Sequence, residues 1–487
     1  MDKQLIAGLR CPYCGGGFRL ARECQAQAGR LHYGLLECRC FVFPVVDGVL
    51  LLSLAKGYGG AEEELQPYTP LQVAAIEYLQ RDDVDGLQGW IRRHLPLAAE
   101  LIEGRAGDYI GFTARRTSLL DAAVERALSA GSQFGVLGYP GGLRLLRRKL
   151  RRLLRPPPSA ASDRGHLAQL GDYYVARFFA PRVNALALQL GSLPLGGRIL
   201  SLCCGQGVFE NLLRADGRPA EIVSVDGQFL NLLITRQYTN PDGNYICHDL
   251  QFALPFRDGA FDGVFSSTCL PEMPAQRHFA AEAIRVTAAT GWTVFDSIWN
   301  EQQGGVRRID RYRHYRFCQN FFARIEDYLP FFEECAAGRE VGVDIPGPPQ
   351  QYLGESTWAF GAARDAAMAG RADPQISVML RDREKFAGFT TPQRPWLNPS
   401  QLSVSPVFEA SRQGEVLRLR RRPAYEQLPD VIAAKGFPGY PASLELGPAD
   451  RSGRLPQLFA DATLALLPEN FGLGTQTLAA LGMPALE

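Results

Sequence analysis

The sequence lacks a strong excess of charge of either sign and any long apolar run. Its 52 basic and 51 acidic residues give a net charge of +1 over 487 residues, which argues against a general attraction to nucleic acid or anionic membranes. The longest apolar run, 41–54, contains Pro44, Asp47 and Gly48 and is too short to span a bilayer. Residues 1–10 do not resemble a secretory signal. Because 46% of the residues are hydrophobic, we expect a globular protein with large buried cores.

The cysteines are clustered rather than spread along the chain as a disulfide framework. There are 11 of them, an odd number. This usage favours reduced thiols, a cytoplasmic location and metal binding by some of the thiols.

Two close cysteine pairs near the N-terminus predict a metal site. Cys11 and Cys14 form a C-x-x-C turn followed by glycines, and Cys38 and Cys40 form a C-x-C pair. Four thiolates in two pairs suit tetrahedral zinc, which would stabilise so small a segment. Because C-x-C is a tight spacing, Cys24 or His32 could replace one ligand. A redox pair and plain buried thiols are the alternatives.

Composition divides the chain into four segments. Residues 1–56 are rich in Cys and Gly and have short strand signals, and 60–158 has apolar residues at helical spacing and ends in three prolines. Residues 165–385 alternate strand and helix signals, which predicts an α/β domain with a largely parallel sheet and helices on both faces. Residues 386–487 are rich in Pro and Gly and show no motif.

A Gly-rich turn in the α/β segment predicts a nucleotide-type ligand. The apolar strand around 198–202 leads into Cys-Cys-Gly-Gln-Gly and a helix, and a second apolar strand ends in Asp226. Glycines let the backbone approach a ligand closely, and a carboxylate after the second strand can accept from ribose hydroxyls. A dinucleotide oxidoreductase would favour a third glycine at position 210, which is Glu. A turn that serves packing alone is the structural alternative.

Four motifs in this segment resemble the class I S-adenosylmethionine-dependent methyltransferases, especially the ubiquinone and menaquinone C-methyltransferase type. The resemblance covers roughly 167–291, and its order and spacing are those of the family. The motifs are ILSLCCGQG, VSVDGQFLNLL, ICHDLQFALPFRDGAFDGVFSS and AIRVTAATGWTVF. The resemblance implies a Rossmann-like methyltransferase fold and S-adenosylmethionine as the cofactor.

The resemblance also implies roles for individual residues. Those near the methionine part of the cofactor would be Ser201, Cys203, Gly205 and Gly207. The ribose would be held by Asp226 beside Gly227, the adenine by Asp249 and Leu250, and the cofactor would be lined by Ser266 and Ser267. Ser201 departs from the family, which usually has Asp or Glu there, and this departure keeps a non-catalytic scaffold as an alternative.

Methyl transfer needs little from the protein beyond positioning, although a hydroxyl or an acidic carbon as acceptor also needs a base. Candidates near the expected strand ends or in the following segments are Glu272, His278, Asp296 and His314. A solvated surface position or a structural role is the simpler interpretation of each.

The N-terminal segment resembles the zinc-ribbon family whose members activate tRNA and translation-factor methyltransferases. CPYCGGGFRL and CRCFVFPVVDGVLLL carry this resemblance. One residue is missing within the second knuckle, and Leu50 stands where the family has its last Pro. The resemblance implies a structural or recruiting role rather than catalysis.

A basic amphipathic stretch precedes the α/β segment. Arg144–Arg155 carries seven positive charges around a leucine face, which could bind RNA phosphates or an anionic membrane. A linker helix with solvated arginines is the simpler interpretation. We therefore expect a methyltransferase acting on a small-molecule or lipid-like metabolite, with an RNA methyltransferase and a non-catalytic scaffold as alternatives.

Overall fold

The protein is described by a computed structural model, which divides it into two compact units. The first comprises Met1–Arg105 and Ala185–Trp396, and the second Ala106–Asn184 and Leu397–Glu487. The cysteine-rich segment, the helices after it and the α/β segment thus fall in one unit. The described residues are 1–53, 70–113, 176–218, 220–273, 275–299, 325–345, 347–369, 375–386, 392–422, 440–447 and 450–483.

The first unit is built on one mixed sheet with helices packed against it. Its N-terminal elements are α1 (Lys3–Ile6), β1 (Arg19–Gln27), β2 (Arg30–Glu37), β3 (Val42–Val46), β4 (Val49–Leu51), α2 (Pro70–Gln80), α3 (Val84–His94) and α4 (Pro96–Ile102). There follow α5 (Pro181–Leu190), which begins before the unit boundary, β5 (Gly197–Leu202), α6 (Val208–Asp216), β6 (Ala220–Asp226), α7 (Phe229–Tyr238), β7 (Asn244–Cys247), β8 (Phe261–Ser267) and α8 (Gln276–Val286). The remaining elements are β9 (Thr287–Trp299), α9 (Ile325–Cys335), β10 (Glu340–Asp344), β11 (Ala359–Phe360), α10 (Gly361–Met368), β12 (Gln375–Arg381) and α11 (Arg383–Phe386).

The sheet confirms the predicted Rossmann-like α/β fold. Its 12 strands are ordered β1-β2-β3-β4-β7-β6-β5-β8-β9-β12-β10-β11. The strands from β7 to β9 pair in parallel, and β12 lies antiparallel between β9 and β10. Counted from the strand before the Gly-rich turn, the core order is 3-2-1-4-5-7-6, a doubly wound sheet whose order reverses between β5 and β8.

The cysteine-rich segment extends this sheet. Strands β1 to β4 form an antiparallel meander, and β4 then pairs in parallel with β7, with Leu50 opposite Ile246. Both side chains are fully buried in an apolar cluster that residues of the meander share with the core strands. Burial of this apolar face stabilises the junction, because removing such side chains from water is the main driving force of folding.

The second unit contains small antiparallel sheets. One is made of β14 (Phe408–Gln413), β15 (Val416–Arg421) and β16 (Ser443–Leu446), and the other of β13 (Ser403–Val404) and β17 (Leu464–Ala465), with α12 (Asp450–Gly453) and α13 (Leu455–Ala460). The buried amide of Asn184 donates to the carbonyls of Phe459 and Leu464 at 2.7 and 2.8 Å. Across the described part of the chain, no helix is long and apolar enough to cross a bilayer.

Candidate functional site

The predicted cofactor residues follow the carboxyl ends of adjacent parallel strands. The Gly-rich turn follows β5, Asp226 ends β6, Asp249 follows β7 and Ser267 ends β8. In parallel strands these ends lie at one edge of the sheet, where doubly wound folds bind their ligands. The topology therefore brings the predicted residues together at one edge.

The Gly-rich turn requires glycine at two positions. Gly205 and Gly207 have φ angles of 57° and 77°, a region that disfavours a side chain. A Cβ at Gly207 would collide with Thr235 Cγ2 on α7 and with Thr239 Oγ1, directly after α7. Gly207 thus allows α6 and α7 to approach each other, whereas the Gly205 carbonyl accepts from Thr235 Oγ1 at 3.2 Å.

Asp226 connects the turn to the helix that follows β6. Its Oδ2 accepts from the Gly205 amide at 2.9 Å, and its Oδ1 accepts from the Gln228 amide at 2.8 Å. Asn231 Nδ2 donates to the same Oδ1 at 3.3 Å. The carboxylate is buried, and these three donors contact both of its oxygens. Gly227 beside it is partly exposed. Such donors stabilise the charged form that ribose hydroxyls would meet.

A buried carboxyl lies beside Ser201, where the resembling family has an acid on the strand. Glu210, in the first turn of α6, is fully buried and its Oε1 accepts from Ser224 Oγ at 2.8 Å. Ser201 and Ser224 are register partners in β5 and β6. Burial raises the pKa of the Glu210 carboxyl, and hydrogen bonds from both serines oppose that rise. In the sequence, Glu210 stands out only because it occupies the position of a third glycine.

The end of β7 is supported by the N-terminal meander. Ser53 Oγ accepts from the Asp249 amide at 2.8 Å and contacts His248 Nδ1 at 3.0 Å. Burial lowers the pKa of His248 to about 4, so the ring is neutral at pH 7. Burial also raises the pKa of the Asp249 carboxyl, and Leu250 is buried next to it. Sequence reasoning did not find Ser53 or His248, because their contact joins residues far apart in the chain.

On the other side of β5, a serine cluster surrounds Asp296. The carboxylate accepts from Ser267 Oγ at 2.6 Å and from the hydroxyls of Ser297 and Ser377 at 2.9 Å each. Ser267 and Asp296 are register partners in β8 and β9. Ser266 is buried, and its Oγ has no hydrogen-bond partner among the described residues. Asp296 is thus the base candidate that the structure places beside the predicted cofactor residues.

A second buried acid, not predicted from the sequence, ends β10. Asp344 is 1% exposed, and its Oδ2 accepts from Gln189 Nε2 and the Tyr352 hydroxyl at 2.7 Å each. Burial raises its pKa to about 6, and the charge of Asp296 adds to this shift. Its neighbours are neutral donors, so Asp344 gains a proton at mildly acidic pH.

The other base candidates receive no comparable support. His278 lies on the exposed face of α8. Glu272 ends a short 3-10 turn, Leu270–Glu272, and its side chain lies outside the described residues. His314 and the Arg144–Arg155 stretch are also outside them.

Cys203 and Cys269 form a disulfide, so the expectation of reduced thiols does not hold for this pair. The parallel pairing of β5 and β8 brings together two cysteines separated by 66 positions. Sequence reasoning had no local signal for this contact.

The four predicted metal ligands cluster. The sulfur atoms of Cys11, Cys14, Cys38 and Cys40 lie within 4.8 Å of one another, and tetrahedral zinc with Zn–S bonds of about 2.3 Å needs sulfur separations of roughly 3.8 Å. The residues therefore fit a zinc ion. Cys24 instead lies against α2, where its Sγ donates to the Leu79 carbonyl.

Comparison with known proteins finds a methyltransferase domain at this site. Residues 200–295 match the family described as "Methyltransferase domain". The chain is 32% identical over 148 residues to a 2-methyl-6-phytyl-1,4-hydroquinone methyltransferase from Synechocystis sp., a match that covers 29% of this chain and 46% of that protein. It is 26% identical over 162 residues to a demethylmenaquinone methyltransferase from Bacillus licheniformis, covering 33% and 68% of the two chains.

Among solved structures, a SAM-dependent methyltransferase from Thermotoga maritima aligns with a TM-score of 0.29 and 16% identity, over 45% of this chain and 98% of that one. The chain therefore spans less than half of the cyanobacterial relative and nearly all of the Thermotoga protein. The family match and the strand order together support a class I methyltransferase domain in this chain, built around residues 200–295.

Proposed function

We propose that the protein is an S-adenosylmethionine-dependent methyltransferase acting on a small-molecule or lipid-like acceptor. The proposal rests on three neighbouring strand ends: the Gly205 turn follows β5, Asp226 ends β6 and Asp249 follows β7. When bound there, S-adenosylmethionine supplies an electrophilic methyl group. The curated relatives are named for hydroquinone and demethylmenaquinone methylation, which favours an aromatic acceptor of that kind.

The adenosine part would lie along β6 and β7. Asp226 is oriented by hydrogen bonds from Gly205, Gln228 and Asn231, and a carboxylate in this position can accept from both ribose hydroxyls. Asp249 would accept from the adenine amino group beside Leu250. Its backbone is fixed by Ser53, so the meander helps to set the position of this contact.

The acceptor would lie towards β8 and β9. Here Asp296 is the proposed base, and its carboxylate accepts hydrogen bonds from the hydroxyls of Ser267, Ser297 and Ser377. Holding the acceptor atom in contact with the methyl carbon supplies much of the rate, and removing its proton supplies the rest. Asp296 would thus act on the acceptor rather than on cofactor binding.

Glu210 bears on the non-catalytic alternative. That alternative rests on Ser201, which leaves strand β5 without an acid. A carboxyl is nevertheless present beside Ser201, because Glu210 reaches the same strand pair from α6 and bonds to Ser224. We propose that Glu210 takes over the support of the Gly-rich turn, so that Ser201 does not prevent catalysis.

The cysteine cluster is proposed to hold one structural zinc ion. Its C-x-x-C turn is closed by backbone bonds between Cys11 and Gly15 and between Cys11 and Gly16. The adjoining Arg10 amide donates to Pro255 in the loop after Asp249 at 2.9 Å. The metal would therefore stabilise the segment that contacts the proposed adenine loop, without touching substrate.

Binding and turnover test this proposal separately. Asp226→Ala should weaken binding of S-adenosylhomocysteine, the demethylated product, by at least about tenfold, close to 1.4 kcal/mol. Asp296→Asn should lower turnover of a prenylated hydroquinone by about 100-fold and leave product affinity within about twofold. Asp242→Ala, a change at an exposed surface acid, is the control for both. Calorimetry that shows no binding to the unmodified protein would rule out the cofactor assignment.

A further inference from the structure

The disulfide joins the two loops that would flank the methionine part of the cofactor. Cys203 directly follows β5 and begins the Gly-rich turn, and Cys269 lies two residues after β8 ends at Ser267. Their Cα atoms are 6.3 Å apart, within the ordinary range for a disulfide. The bond therefore runs between loops that follow neighbouring parallel strands.

These strands are the pair at which the order of the sheet reverses. From β5 the order continues through β6 and β7 on one side, whereas β8 and β9 lie on the other. Doubly wound sheets bind ligands in the crevice outside the carboxyl ends of such a pair. The Cys203–Cys269 bond thus links the two walls of that crevice.

We propose that Cys203 and Cys269 form a reversible redox site that controls binding of the methionine part of the cofactor. The disulfide form excludes it and the dithiol form admits it. This inference rests on the proposed function, since it takes the methionine part to lie between the Gly-rich turn and the end of β8. Two bonded sulfur atoms occupy that space, whereas two free thiols on separate loops can rotate away from each other.

The neighbouring thiols do not compete for this role. Burial raises the pKa of Cys204 and of Cys247 well above the ordinary thiol value, and a protonated thiol is a poor nucleophile. Cys203 is partly exposed, whereas Cys269 is 8% exposed. A reductant therefore reaches the Cys203 sulfur more readily.

The reductant is a dithiol, either a small molecule or a protein with a C-x-x-C pair. Its thiolate attacks Cys203 Sγ, the Cys203–Cys269 bond breaks, and Cys269 leaves as a thiolate that takes up a proton. The second thiol of the reductant then attacks the mixed disulfide and releases Cys203 as a thiol. Two electrons pass to the protein, and the reductant becomes a disulfide.

The test measures S-adenosylhomocysteine affinity of the full-length protein after diamide oxidation and after dithiothreitol reduction. Mass spectrometry of alkylated peptides reports the state of Cys203 and Cys269 in each sample. Cys269→Ser removes the disulfide and retains every proposed zinc ligand. Loss of zinc during oxidation would therefore lower the affinity of Cys269→Ser as much as that of the unmodified protein. Cys335→Ser removes a thiol on α9 and serves as the matched control.

We expect oxidation to weaken affinity at least about tenfold in the unmodified protein and in Cys335→Ser, and dithiothreitol to restore it. Cys269→Ser should change less than about twofold. Three results would overturn the inference and leave the proposed function intact. They are equal affinity of the oxidised and reduced protein, an equal loss of affinity on oxidation of Cys269→Ser, and alkylation of both cysteines after oxidation. Absence of binding to the reduced protein would instead contradict the proposed function, and this inference with it.

Discussion

Replacement of Asp344 by Asn should change how the stability of the protein depends on pH. The Asp344 carboxyl is buried among neutral donors, and burial raises its pKa from 3.8 to about 6. The folded protein therefore retains this proton at pH values where the unfolded chain has lost it. The contribution of this proton to the free energy of unfolding is fully present below about pH 4 and is lost as the pH rises through 6.

The size of this effect follows from the pKa difference. A shift of about two pKa units corresponds to ~3 kcal/mol between pH 4 and pH 7. Asp344→Asn has no proton to lose, so its stability relative to the unmodified protein should rise across this range by up to ~3 kcal/mol. The Gln189 and Tyr352 contacts can adjust to an amide, although one donor would lose a good acceptor.

Thermal denaturation of both proteins at half-unit steps from pH 4.5 to 7.5 measures the effect. Comparing the two at each pH removes the contributions of groups they share, including the proposed zinc site. Asp242→Asn, at an exposed position, should follow the unmodified protein throughout. A constant difference in melting temperature between Asp344→Asn and the unmodified protein would contradict this prediction, because it would mean that Asp344 does not titrate in this range.

Three further changes have definite expected outcomes. Elemental analysis should find about one zinc ion per chain, and a purified sample without zinc or iron would contradict this. Conversion of Cys11 and Cys14 to Ser should release the zinc and also weaken S-adenosylhomocysteine binding, because the Arg10 amide contacts the loop after Asp249. Glu210→Gln should weaken S-adenosylhomocysteine binding severalfold, and adding Ser201→Asp to this variant should restore part of the affinity. Unchanged binding in Glu210→Gln would exclude the proposed role of Glu210 in supporting the Gly-rich turn. Replacing four arginines of Arg144–Arg155 with Gln should leave product binding and small-molecule methylation nearly unchanged; submicromolar, salt-dependent RNA binding that this variant loses would favour the RNA alternative.

The strands that carry the site could be predicted because their signals are local. The apolar strand expected around 198–202 corresponds to β5 with its start shifted by one residue, and the second strand ends in Asp226 as expected, since each run is bounded by turn residues. The cysteine cluster was also predictable, because two close pairs of thiols have few uses in a reduced chain.

What could not be predicted depends on contacts between distant residues. Nothing in the sequence around Val49–Leu51 indicates that β4 pairs with β7, because the apolar residues of a strand do not specify which strand lies beside it. The Ser53 contact at Asp249 follows from that pairing. The Cys203–Cys269 bond and the burial of Asp344 likewise require the sheet order, which local patterns do not specify.

We propose that S-adenosylmethionine binds at the carboxyl ends of β5, β6 and β7. A crystal structure of the reduced protein with S-adenosylhomocysteine tests it most directly. We expect the ribose hydroxyls on Asp226, the adenine beside Asp249 and Leu250, and the homocysteine part along the Gly205 turn with its sulfur towards Ser267 and Asp296. Ligand bound elsewhere, or a fully occupied complex in which Asp226 does not contact the ribose, would contradict it.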